Sequence, residues 1–146
     1  VTLLLLLLGS CIGIVYYKTH SYTVSEADYN NISDSPLVSA YIPPEAKSIN
    51  ALIQPGKLHI TASFEISADD FTAWARKKDW DLDKIKNKEI SHISNPANAN
   101  DHVFIEKGFL YKKMWYSKAD TSGPGYTRIY AYDQVNGIGY YTHFGD

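Results

Sequence analysis

Apolar and polar residues along this 146-residue chain recur with different periods in different stretches, and each period predicts an element. Residues 1–17 (VTLLLLLLGSCIGIVYY) carry no charge, and the six leucines at 3–8 would make a helix apolar all round. Residues 57–66 alternate strictly, with Leu58, Ile60, Ala62, Phe64 and Ile66 set against Lys57, His59, Thr61, Ser63 and Glu65. That period of two predicts a strand with one face on a core. It leads straight into a helix start. Ser67 is placed as N-cap, Asp70 supplies an acidic version of the capping box, and Ile66 can staple onto Phe71. Phe71, Trp74 and Ala75 continue as an apolar stripe to about Lys78. Leu82, Ile85, Ile90 and Ile93 suggest another helical turn or two from Asp83, ending before Asn95-Pro96.

The last third reads as a meander with strands at 103–105, 109–116, 126–133 and 138–144, turned by Ser122-Gly123-Pro124-Gly125 and Asn136-Gly137. A short edge strand at 48–53 fits the proline-punctuated stretch 36–55. A two-residue turn at Asn136-Gly137 would put Ile129, Ala131 and Val135 on one face with Ile138, Tyr140 and Phe144. Tyr130, Tyr132, Tyr141 and His143 would then share the other face, whereas a bulge at Gly137 would shift that register. The order β(β)αβββ predicts an α+β domain: an antiparallel sheet with one main helix packed on it, preceded by an N-terminal transmembrane or signal helix.

Three regions follow: an anchor or signal at 1–18, a polar linker at 19–35 and a single domain at 36–146. As a helix, the apolar segment reaches about 25 Å, a little short of a hydrocarbon core of about 30 Å. Tyr16 and Tyr17 would lie at the interface, with Lys18 at the headgroups. An uncleaved single-pass anchor is the leading reading. Leu8-Gly9-Ser10-Cys11 also resembles the lipobox of bacterial lipoproteins, which would make Cys11 the lipidated residue. A cleaved ordinary signal is the third alternative. All three involve the membrane, and the expected address of the domain is extracytoplasmic, periplasmic or on the cell surface.

Composition narrows the functional classes. Fourteen basic residues against 16 acidic ones give a net charge of −2, which argues against a nucleic-acid partner. The single cysteine is Cys11, so the body has no disulfide, thiolate metal site or cysteine nucleophile. Asp79-Trp80-Asp81-Leu82-Asp83 has the spacing that opens a calcium loop, but Lys84 replaces its glycine and Ile90 its terminal glutamate. None of His20, His59, His92, His102 and His143 lies at zinc-ligand spacing from another. Neither a phosphate loop nor a nucleophile elbow is present. The expectation is therefore a non-enzymatic domain with no cofactor and no metal.

Aromatics make up 14% of the chain and crowd the last hairpins, where Lys112, Lys113 and Arg128 are interleaved with them. A sheet face of Tyr130, Tyr132, Tyr141, His143 and Arg128 could stack a sugar, a peptide or a partner's side chains. Aromatics also favour strands for packing reasons alone, and that is the commoner explanation.

Ile42-Pro43-Pro44-Glu45-Ala46, the run from Ile66 to Ala75, and Tyr132-Asp133 through Gly137 to Tyr140-Tyr141 resemble uncharacterised, small membrane-anchored bacterial proteins. The resemblance implies a bacterial envelope origin and transfers no site residue. The leading functional expectation is an interaction or accessory domain, a subunit of a larger membrane complex. A binder of a small ligand or glycan is the alternative, and an enzyme of unknown class ranks third.

Overall fold

The computed structural model describes residues 22–32, 40–54, 59–95, 98–116 and 125–145. The expected anchor, with its lipobox and Cys11, lies outside them. The elements are β1 (Tyr22–Ala27), α1 (Tyr29–Ile32), β2 (Lys47–Gln54), β3 (His59–Glu65), α2 (Ala68–Lys77), β4 (Asp83–Asn95), β5 (Asn98–Tyr116), β6 (Gly125–Asp133) and β7 (Ile138–Gly145).

Seven strands form one sheet in the order β1-β2-β3-β7-β6-β5-β4, and every neighbouring pair is antiparallel. Two meanders, β1 to β3 and β4 to β7, meet where β7 pairs with β3. Helix α2 carries the chain from the middle of the sheet to its far edge, so the second meander runs back inward.

The helix start forms as its sequence dictates. Ser67 is extended (φ −71°, ψ 154°), and its Oγ accepts from the Asp70 N–H at 3.1 Å and donates to Asp70 Oδ2 at 2.6 Å. The C-terminus is a Schellman motif: the Trp80 N–H donates to Ala75 O (3.1 Å) and the Asp79 N–H to Arg76 O (3.0 Å). Asp79 takes the left-handed position (φ 58°), and Trp80 packs edge-on against Trp74 with ring centroids 4.9 Å apart. The first aspartate of the calcium-like run is thus a helix-terminating residue.

Phe71, Trp74 and Ala75 face the sheet. Phe71 stacks on Tyr132 at 4.9 Å, and Trp74 meets Tyr130 edge-on at 5.1 Å. Around them Phe64, Ala62, Ile53, Ile49 and Ile42 close one core. A second core lies on the opposite face, where Ile85, Ile90, Ile93, Val103 and Ile105 of the β4–β5 hairpin pack on Ile129 and Ala131, with Tyr140 and Phe144 against them.

Three expectations need correction. The stretch expected as linker contains β1, which pairs with β2, and a helical turn whose Ile32 is buried. The expected helical turns after Asp83 are strand β4, and the two strands expected at 103–105 and 109–116 are one strand of 19 residues. The physical reason for the β4 misreading is Asn87, whose φ of 48° interrupts the pleat. A second irregularity, the register shift between Ile90 and Ser94, follows it, so Ile85, Ile90 and Ile93 enter the same core and their irregular spacing imitates a helical stripe.

The last hairpin has a four-residue loop. Asp133 pairs with Ile138, and Gly137 has φ +69° with its N–H donating to Asp133 O at 2.9 Å. Asp133 Oδ1 accepts from the N–H groups of Val135 (2.9 Å) and Asn136 (3.2 Å), which satisfies a carboxylate that is only 3% exposed. Relative to a two-residue turn the pairing moves by two residues. Because the pleat repeats every two residues, the faces are unchanged, except that Val135 belongs to the loop and is exposed.

Candidate functional site

Tyr130, Tyr132, Tyr141, His143 and Arg128 do share one face, and the structure divides them into two groups. Tyr130, Tyr132 and Tyr141 are 1%, 2% and 0% exposed. They form the floor of the core beneath α2 and the segment around Tyr41, so the expectation that they present an open stacking surface is corrected. Tyr132 Oη donates to Ile66 O at 3.0 Å, and Tyr130 Oη donates to Tyr41 O at 2.9 Å. Burial pushes both phenols above their usual range, so they act as neutral hydrogen-bonded core groups.

Arg128 and His143 lie further along the same face and are half-buried. Antiparallel pairing fixes their company: Arg128 lies directly opposite His143 on β7 and directly opposite Lys113 on β5. Like charges set opposite each other are unfavourable, yet among the described residues no carboxylate pairs with Arg128. Two rings hold the guanidinium instead. Its Cζ lies 4.8 Å from the Tyr41 ring centroid and 5.2 Å from that of Trp115. Trp115 stacks on Tyr126 at 5.8 Å and meets His143 edge-on at 5.5 Å, and Tyr41 stacks on Tyr141 at 5.2 Å.

Among the described residues, three side-chain polar atoms buried in this cluster have no hydrogen-bond partner: Arg128 Nε, Tyr141 Oη and His143 Nδ1. Burial, reinforced by the charges of Arg128 and His59, lowers the His143 pKa, so the ring is neutral at pH 7. Burial raises the Tyr141 phenol against the charge of Arg128 and the close approach of that guanidinium to the phenol oxygen, a contact whose geometry falls short of a hydrogen bond, so the phenol stays protonated. The centre thus holds a fixed cation, two neutral groups able to donate, and no anion among the described residues.

Trp115 and Tyr126 belong to the aromatics that crowd the last hairpins, among which Arg128 is interleaved, so this part of the cluster carried a local signal. Tyr41 carried no local signal, because its partners are far along the chain and meet it only through the fold.

Other candidates take structural roles. His59 lies between Gln54 (Nδ1 to Oε1, 3.3 Å) and Thr142 (Nε2 to Oγ1, 3.5 Å), and the His92 ring packs 5.6 Å from that of Phe144. A cleft of about 340 Å³ beside the helix start is lined by Glu45, Lys47, Glu65, Ser67, Asp70 and Asn136, of which Ser67 and Asp70 are occupied with the cap. Among the described residues no three His, Cys, Asp or Glu side chains group as metal ligands, and no helix is long and apolar enough to cross a membrane.

Comparison with known proteins returns no matching family model, no matching curated protein and no matching solved structure.

Proposed function

We propose that this chain is a membrane-tethered, non-enzymatic binding domain of the bacterial envelope, and that it recognises its partner through the centre built on Arg128. One observation carries this reading. Among the described residues, the half-buried Arg128, packed against Tyr41 and Trp115, lacks a carboxylate, and its Nε, Tyr141 Oη and His143 Nδ1 are buried without a hydrogen-bond partner. Native folds satisfy nearly all such atoms, and a set on neighbouring positions around one cation favours a place where an outside group completes the bonding. The covered tyrosines leave little open ring surface, which favours recognition of a polar group over the stacking of a sugar along the sheet.

Partner capture from membranes in mild detergent tests the reading. Arg128→Met should weaken capture by about tenfold or more, as the loss of a partly buried charge contact does, while the exposed Lys112→Met should leave it unchanged. Equal capture by wild type and Arg128→Met would remove Arg128 from the function.

The tether rests on the charge-free residues 1–17. The full chain should sediment with membranes and resist carbonate extraction. Its intact mass should show either an unmodified N-terminal segment, the leading expectation, or a chain that begins at lipidated Cys11. Recovery in the soluble fraction at the uncut mass would overturn the tether.

A further inference from the structure

We propose that the group completing the Arg128 centre is a carboxylate, held by Arg128 Nε, Tyr141 Oη and His143 Nδ1 together. This rests on the binding-domain reading above and specifies the chemistry of its ligand.

All three atoms can donate at once: an arginine Nε–H, a phenol O–H and the Nδ1–H of one imidazole tautomer. Three donors on neighbouring positions of one face call for an acceptor with several lone pairs, and a carboxylate offers about four. The sheet sets their spacing. Arg128 and His143 are direct cross-strand neighbours, and Tyr141 is two residues along β7 on the same face. Tyr41 ties them together, with ring centroids 5.2 Å from Tyr141 and 6.1 Å from His143. The rings on Arg128 fix its planar fork in advance, which lowers the ordering cost of a directed contact.

Charge separates a carboxylate from a phosphate. Among the described residues the buried part of the centre holds one cation, Arg128, since the neighbouring Lys113 is exposed and its charge is screened by water. His143 is neutral at pH 7. A monoanion matches that single charge, whereas a phosphate dianion would leave an uncompensated buried charge. His59, the other cationic candidate nearby, is engaged with Gln54 and Thr142. A hydroxyl or amide ligand would satisfy the donors but would leave the Arg128 charge without a counter-ion among the described residues.

The chain has two arginines, Arg76 and Arg128, so their side-chain Nε–H signals give an NMR readout on the full protein in mild detergent. At pH 7.5, sodium acetate should shift the Arg128 signal saturably and leave the exposed Arg76 in place. Inorganic phosphate should bind at least about tenfold more weakly, as expected for a mismatched buried charge. Tyr141→Phe keeps the ring and removes one donor. It should weaken acetate by about tenfold while the melting temperature shows the unliganded fold intact. A role in packing alone predicts no change in acetate binding.

Phosphate binding as tightly as acetate would overturn the carboxylate assignment, and an unmoved Arg128 signal with both anions would overturn the anion site. If partner capture is still lost in Arg128→Met after either result, the binding-domain reading stands and only the ligand class falls. A neutral peptide with a free C-terminus and an amidated peptide with one glutamate separate the sources. Tighter binding of either one than of acetate supports a partner's carboxylate, and equal binding supports a free small acid.

Discussion

Trp74→Ala is expected to destabilise the domain by about 3 to 5 kcal/mol, the range for removing a large buried aromatic. Trp74 is 8% exposed and is the point at which α2 locks onto the sheet. Its ring meets Tyr130 at 5.1 Å, Trp80 at 4.9 Å and Phe71 at 6.2 Å, so truncation strips contacts from three other rings at once. Trp80 loses its hydrophobic partner in the helix-terminating motif, while its stack on Tyr111 (4.4 Å) is left without support from the helix side. A domain of this size has only about 5 to 15 kcal/mol in total, so the variant should be close to unfolding at physiological temperature. Lys77→Ala, on the exposed side of the same helix, should stay within about 0.5 kcal/mol of wild type. Urea melts of the two variants check the ordering. Coincident curves would mean that α2 does not bury Trp74.

What the chain displayed in advance was the chemistry of single positions and local periods. Ser67, Asp70 and Ile66 announce a helix start because a cap acts within four residues, and the structure places that start at Ser67. The shared face of Tyr130, Tyr132, Tyr141, Arg128 and His143 was equally legible. Parity along a strand survives any even shift of register, and the four-residue loop produced such a shift. Burial was not legible from the same pattern. Alternating aromatics read alike whether the face is wet or covered, and the cover comes from α2 and from Tyr41, whose carbonyl receives Tyr130 across 89 residues of sequence. Left-handed residues hid two elements. Asn87 breaks the alternation of β4, and Glu26 (φ 47°) lies in the register shift of β1 against β2, where a polar composition had suggested linker. The centre at Arg128 was half visible: its cation, tryptophan and histidine lie in the last hairpins, but its unpartnered atoms exist only once three strands and Tyr41 have come together.

Gly108→Ala is expected to cost about 3 to 5 kcal/mol, in the upper tail for a single substitution. Gly108 lies where β5 pairs with β6 opposite Asp133, and where β5 starts to pull away from β6 with the β4–β5 hairpin. A Cβ there would lie 1.7 Å from Tyr132 O and 2.9 Å from Tyr132 C. Both atoms are backbone, so relief requires the strands to separate, and the adjoining bond from the Gln134 N–H to Lys107 O (2.9 Å) would open with them. Gly139 provides the contrast. Its added Cβ would meet the Phe64 ring at 2.3 Å, a side chain that can tilt, and Gly139→Ala should cost about 1 to 3 kcal/mol as ordinary overpacking. Backbone and ring therefore predict different penalties for the same added methyl group. Denaturant melts of the two variants, read with amide exchange at Gln134, decide between them. Faster exchange at the Gln134 amide in Gly108→Ala alone is the expected signature, and equal stability of the two proteins would mean that β5 does not approach the Tyr132 carbonyl this closely.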